Sequence, residues 1–231
     1  MLGSGEQFGI NLSYKVQPSP DGLAQAFILG KEFIGDDACA MVLGDNIFYG
    51  NGFVRLLRES VKNAEANRHA TVFGYYVTNP SQFGVIEFDE SEKVISVEEK
   101  PENPKSNYAI TGLYFYPSGV AEMAENVKPS ARGELEITTL NEMYLEMGLL
   151  DVKLLSRGFA WLDTGTMDSL VDAADFVRMI EKRQGVKISA PEEIAYRNKW
   201  ITKEKLLLSA EKYGKSPYGL HLKTVADGKL K

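Results

Sequence analysis

Apolar and polar positions along the chain switch repeatedly between a two-residue and a helical repeat. Leu12, Tyr14 and Val16 alternate with polar neighbours, which predicts a half-buried strand. Residues 22–34 bring Ala24, Phe27, Ile28 and Ile34 near one helical face. Residues 37–43 form a short apolar run ending at Gly44, the pattern of a parallel strand buried on both faces. An amphipathic helix is predicted over about 53–66, and a strand rich in aromatic and branched residues over 71–77. Three further strands, 84–88, 94–98 and 110–116, follow, the first two with no long helix between them. Helices over roughly 119–127 and 135–148 lead to strands 152–155 and 159–162. A strongly amphipathic helix over 168–184 and a helical stretch around 191–200 complete the pattern. The tail from Tyr213 has weak periodicity and reads as partly disordered.

Alternating strands and helices predict an α/β fold with a mainly parallel central sheet and ligands at the carboxyl ends of its strands. Residues 1–185 are expected to form that core and 186–231 a C-terminal helical extension. Such sheets usually open with an apolar strand entering a glycine-rich phosphate loop. Gly3, Ser4 and Gly5 resemble such a loop, but no strand precedes them and a strand pattern, not a helix, follows.

Composition narrows the function. The 231 residues are 44% hydrophobic and 25% charged, as in an ordinary globular protein. A formal net charge of -6 gives no reason to expect a nucleic-acid partner. The apolar runs are far shorter than the roughly 18 residues that span a bilayer, so no membrane partner is expected. The opening residues show neither a basic n-region nor an apolar h-region, and a cytoplasmic location is expected. Cys39, the single cysteine, sits in an apolar run and reads as a buried small side chain. His69 and His221 are isolated, so no Cys-His nucleophile or zinc set can be built. No G-x-S-x-G, H-E-x-x-H or Walker pattern occurs.

Five segments can carry chemistry. In VLGDNIFYG (42–50) a strand ends in Gly-Asp-Asn, offering Asp45 as a Mg²⁺ ligand and Asn46 as a sugar or phosphate contact; a plain turn explains it equally well. WLDTGT (161–166) offers Asp163 as a second ligand, or merely a cap for the next helix. In Glu98-Glu99-Lys100, strand alternation puts Glu98 and Lys100 on one face and Glu99 on the other, unless a turn before Pro101 re-aims them. Arg132, in KPSARGELEIT (128–138), lies just before a helix, where it can meet an anion, although Glu134 and Glu136 oppose one there. In QPSPDGLAQAF (17–27), Gln17 can read a base edge and Gly22 can let a flat ring approach; a simple strand–turn–helix is the alternative.

Taken in order, these blocks, with FGVIEF (83–88) and EEKPENPKSNYAITGLYFY (98–116), resemble the glucose-1-phosphate thymidylyltransferase family over about residues 2–197. The resemblance implies a nucleotidyltransferase fold and a Mg²⁺-dependent reaction of dTTP with glucose 1-phosphate, giving dTDP-glucose, a step of dTDP-rhamnose biosynthesis, and pyrophosphate. By resemblance Asp45 and Asp163 are the metal ligands, and Lys100 and Arg132 clamp the sugar phosphate. Gln17 and Gly22 would contact thymine, Asn46 the sugar side, and Gly84, Glu99, Ile110 and Tyr114 the glucose. Gly50, Glu193, Ile194 and Arg197 fall in segments similar to a second, regulatory nucleotide site, and a homotetramer is implied. Two departures stand out. Met167 replaces the family's usual His, and the family's N-terminal glycine-rich signature, with central strands of its sheet, is not in the sequence. The chain alone is therefore expected to turn over little. A non-catalytic sugar-phosphate or nucleotide-binding module remains an alternative, as does a uridylyl- or cytidylyltransferase.

Overall fold

Branched and aromatic runs become strands, and their direction of pairing follows from the links between them. The computed structural model describes residues 2–229. They form two units: Lys15–Ser169, and the remainder up to Tyr14 and from Leu170 onward.

In the larger unit, helices α1 (Gln25–Leu29) and α2 (Lys31–Ile34) precede strands β1 (Cys39–Val42) and β2 (Asn46–Gly50). Helix α3 (Phe53–Lys62), β3 (Ala70–Tyr76), β4 (Gly84–Phe88), β5 (Val94–Glu99) and β6 (Tyr108–Tyr116) follow. Helices α4 (Val120–Ala124) and α5 (Ile137–Glu146) lead to β7 (Leu150–Leu154) and β8 (Phe159–Asp163). The main sheet has the order β5-β4-β6-β3-β7, with β1 also paired to β6. Strands β2 and β8 make a separate antiparallel ladder with Asn46 opposite Asp163.

The fold is α/β, but the main sheet is mixed rather than mainly parallel. Among its described pairs only β3 with β7 runs parallel. A parallel crossover needs a dozen or more residues, usually a helix, and the links between β3, β4, β5 and β6 are shorter. The β4–β5 link is tied by Asp89, whose carboxylate accepts from the Ser91 and Lys93 backbone N–H groups at 2.9 Å.

Strand β6 is the spine of this unit, buried from Ala109 to Tyr116. Its alternation sends Tyr114 and Tyr116 to a core with Phe27, Val72, Ile86, Val120 and Leu140. Leu113 and Phe115 point to the opposite core with Phe73 and Leu155, backed by Phe48, Phe53 and Phe159. Phe27 meets Tyr116 edge-on at 5.1 Å between ring centroids, and the Tyr116 hydroxyl donates to Asn141 Oδ1 at 2.6 Å.

Several expectations are corrected. Residues 11–16 make no ladder among the described residues, and Tyr14 and Val16 are 71% and 83% exposed. The 22–34 helix is broken at Gly30. Strand β1 is an antiparallel strand exposed at alternate positions, not a buried parallel one.

The smaller unit is helical. It carries all but the first residues of α6 (Met167–Gln184), then α7 (Pro191–Arg197), α8 (Lys203–Tyr213) and α9 (Pro217–Ala226). The region read as a disordered tail is thus helix α9, started by the Ser216 side chain accepting from Gly219 N–H. Leu206, Ala210, Leu222 and Val225 form its core with Ala195 and Ile201. Buried Glu192 accepts the hydroxyls of Tyr213 at 3.0 Å and Tyr218 at 2.5 Å, tying α7 to α8 and α9. Among the described residues no helix is long and apolar enough to cross a membrane.

Two outcomes are expected. Tyr116→Phe strands a buried Asn141 acceptor and should cost about 1–3 kcal/mol in urea unfolding. Burial pushes the Cys39 thiol from its ordinary 9.0 up to about 11. Only the thiolate reacts, so at pH 8 the folded chain should react with a disulfide reagent about a hundredfold more slowly than the urea-unfolded chain.

Candidate active site

A cavity of about 300 Å³ opens in the larger unit over one end of β6. Its floor is the alternate face of that strand, Ile110, Gly112 and Tyr114. The face that forms the cavity floor becomes the core two residues later, at Tyr116. Glu99 and Lys100 from the end of β5, Gly84 from β4, Arg132 and Glu136 from before α5, and Thr138 on α5 close its sides. Asn46, Trp161 and Asp163 enter from the β2–β8 ladder. Segments far apart in sequence therefore meet at one place. Eight of the expected residues line it: Asn46, Gly84, Glu99, Lys100, Ile110, Tyr114, Arg132 and Asp163.

The Glu99–Lys100 step shows how the backbone selects the side chains. Lys100 has φ 43 and its N–H donates to Phe83 O at 3.0 Å. This left-handed turn, uncommon for a residue with a Cβ, breaks the alternation, so Glu99 and Lys100 both face the cavity and Glu98 does not line it. Glu99 accepts from the Thr138 hydroxyl at 2.5 Å and from Arg132 at 3.2 Å. Tyr114 is nearly buried, and burial first, then the nearby Glu99 charge, hold its phenol well above the usual range. It stays a neutral hydrogen-bonding group.

Arg132 is ringed by carboxylates: Glu136 at 2.8 Å, Glu99 at 3.2 Å and Glu134 at 3.7 Å. The Glu136 hydrogen bond foremost pushes its pKa further up, so the guanidinium stays charged. Glu136 also accepts from the Ser130 hydroxyl at 2.7 Å and is 6% exposed. The sequence presents Glu136 as a charge that opposes an anion beside Arg132. The Arg132/Glu136 spacing of four was the available signal that the two pair.

Asp45 and Asp163 sit at the open end of the β2–β8 ladder. A β-carbon placed on Gly165 would lie 2.9 Å from Asp163 Oδ1 and 4.0 Å from Asp45 Oδ2, so both carboxylates flank one spot. Thr164 fixes the approach, its N–H and hydroxyl both donating to Asp45 O at 2.9 Å. Two hard oxygen donors with lone pairs to spare suit a divalent cation that also takes phosphate and water. Among the described residues no cluster of three or more His, Cys, Asp or Glu forms a complete protein cage.

Gln17 and Gly22 stand together, Gln17 Nε2 donating to Gly22 O at 3.2 Å and to Gln25 Oε1 at 2.7 Å. Gly22 has φ +104, and the place of its missing Cβ is filled by the Leu135 backbone. Its glycine character thus serves a chain crossing, where Ala24 N–H donates to Leu135 O and Leu135 N–H to Asp21 O. Neither lines the cavity, although the adjoining Leu23 does. Gly50 ends β2 in the larger unit. Glu193, Ile194 and Arg197 belong to α7 in the smaller one, Glu193 bonded to Arg197 at 2.7 Å and to His221 at 2.6 Å.

Residues 1–179 match the nucleotidyl transferase family model. A glucose-1-phosphate thymidylyltransferase of Neisseria meningitidis is 56% identical over 223 residues, 96% of this chain and 76% of the relative. One of Mycobacterium tuberculosis is 54% identical over 222 residues, again 96% and 76%. A structure from Bacillus anthracis solved in complex with a sucrose superposes with a TM-score of 0.66 at 41% identity, covering 77% of this chain and 69% of that one. A UDP-glucose pyrophosphorylase complexed with UDP-glucose shares the fold, with a TM-score of 0.61 at 21% identity over 72% and 66%. By identity and coverage together, the chain belongs to the nucleotidyl transferase family and, within it, to the glucose-1-phosphate thymidylyltransferases.

Proposed function

We propose that this chain transfers a thymidylyl group from dTTP to glucose 1-phosphate, giving dTDP-glucose and pyrophosphate. The observation that carries the reading is the convergence of Glu99, Lys100, Arg132 and Asp163 on one cavity of about 300 Å³, at the small end of ligand sites and suited to a sugar monophosphate.

In this reading Glu99 accepts from glucose hydroxyls, with Gly84, Ile110 and Tyr114 shaping the ring's seat. Lys100 and Arg132 hold the sugar phosphate, whose oxygen attacks the α-phosphorus in line while pyrophosphate leaves from the opposite side. No covalent intermediate is needed, so these residues act by positioning and by charge neutralisation. Asp45 and Asp163 would hold Mg²⁺, which when bound supplies positive charge to phosphate oxygens. Gln17 and Gly22, side by side, are the thymine contacts. The wider reading, a cytoplasmic homotetramer with a second nucleotide site at Gly50, Glu193, Ile194 and Arg197, rests on the family resemblance.

Calorimetric titration with glucose 1-phosphate tests the cavity directly. Arg132→Ala removes a charge-assisted pair and should weaken binding about tenfold or more. Binding unchanged in that variant, or no binding to the unaltered chain, would sink the reading. Mixing chain, Mg²⁺, dTTP and glucose 1-phosphate should release pyrophosphate only slowly, and Asp163→Asn should reduce that release further.

Gly84 offers a steric check. A Cβ there meets Thr138 Oγ1 at 3.0 Å and Glu99 Oε2 at 3.5 Å. Gly84→Val should therefore abolish glucose 1-phosphate binding in the same titration while leaving the circular dichroism spectrum unchanged.

A further inference from the structure

Asn46 joins the two halves of the cavity. Its Oδ1 accepts from the Trp161 indole at 2.6 Å and from Gly112 N–H at 2.9 Å. Indole and backbone N–H groups can only donate. The amide orientation is therefore dictated by its partners, since the reversed amide would set N–H against N–H. With the oxygen so placed, Nδ2 faces Asp45 and donates to its Oδ1 at 2.9 Å. Both lone pairs of the Asn46 oxygen are occupied, so that oxygen has no capacity to accept from a sugar hydroxyl.

Gly112 makes this arrangement possible. A Cβ there would lie 2.6 Å from Asn46 Oδ1, 2.7 Å from Asn46 Cγ and 2.8 Å from the Leu43 side chain. A floor residue without a side chain is thus the condition for Asn46 to reach β6. Trp161, 8% exposed, is further held by edge contacts to Phe83 at 5.1 Å and Tyr75 at 5.9 Å. Asp45, by contrast, is exposed, and without Asn46 its carboxylate would lose the side-chain bond from Nδ2 that orients it.

We propose that Asn46 is a positioning residue that locks the Asp45 carboxylate and the Trp161 wall into one register through the Gly112 gap. A hydrogen bond to a ligating carboxylate orients it and typically changes metal affinity 10–100-fold. The part of the proposal concerning metal affinity rests on the reading of Asp45 as a Mg²⁺ ligand; the part concerning Trp161 does not.

The full chain carrying Trp200→Phe isolates Trp161, because the sequence has two tryptophans. In that background Asn46→Leu and Gly112→Ala should each raise acrylamide quenching of Trp161 severalfold. Asn46→Asp keeps an acceptor for both donors and should leave quenching unchanged, which also guards against a misfolded leucine variant. Binding of Mn²⁺ alone, followed by paramagnetic resonance, should weaken about tenfold or more in Asn46→Leu and Gly112→Ala, and Asp45→Ala should abolish it. Quenching unchanged in both Asn46→Leu and Gly112→Ala overturns the proposal. So does unchanged Mn²⁺ affinity in those two when Asp45→Ala has lost it. Mn²⁺ binding that is absent from the unaltered chain, or survives Asp45→Ala, instead defeats the metal reading, and Trp161 quenching then decides on Asn46 alone.

Discussion

The constraint on which the larger unit depends is the burial of β6 on both faces. A strand flanked on both sides must alternate between two environments along its whole length. Here one face is core through Leu113 and Phe115, while on the other Ile110, Gly112 and Tyr114 line the cavity, Ile110 and Tyr114 also joining the core that holds Tyr116. A one-residue slip in register would put Phe115 into the cavity and Tyr114 among the phenylalanines. Strand register and site geometry are therefore fixed together in this unit. The floor residues Ile110 and Tyr114 share one buried cluster with Phe27 and Leu140.

Much of this was legible from side-chain period. The α/β class, the segments that become β3 to β8, and helices α3, α5, α6 and α7 follow from apolar spacing, because burial imposes that spacing directly. Asp45, Glu99, Lys100 and Asp163 could be singled out as charged or turn residues at strand ends, and Arg132 as a charge before a helix. Their convergence could not, since it depends on strand order. Their roles came from the family resemblance, not from spacing.

What was missed has physical causes. Strand direction is invisible to periodicity, so alternating strands and helices alone predict a mainly parallel sheet, which the short links between β3, β4, β5 and β6 overturn. The left-handed Lys100 turn is the exception to alternation left open before Pro101, and spacing alone could not decide between the two. Gly112 and Asn46 depend on one another across 66 residues, and neither carries a local signal of that dependence. Within the expected helical extension, α8 and α9 carry no separate signal, because Lys-rich, weakly periodic segments look solvated until a buried acid such as Glu192 draws two tyrosines onto it.

The ring of carboxylates around Arg132 has a kinetic meaning. Glu99, Glu134 and Glu136 lie within 4 Å of the guanidinium, while Lys100 stands 3.9 Å from Glu99. Summed over these five side chains the formal charge is negative, so the cluster projects no attractive field to an anion more than a Debye length, about 8 Å, away. Electrostatic steering raises encounter rates only where such a field exists. As far as these five side chains go, an anion gains no long-range acceleration toward the site, and recognition falls to short-range geometry. Selectivity among anions then resides in how long each one stays.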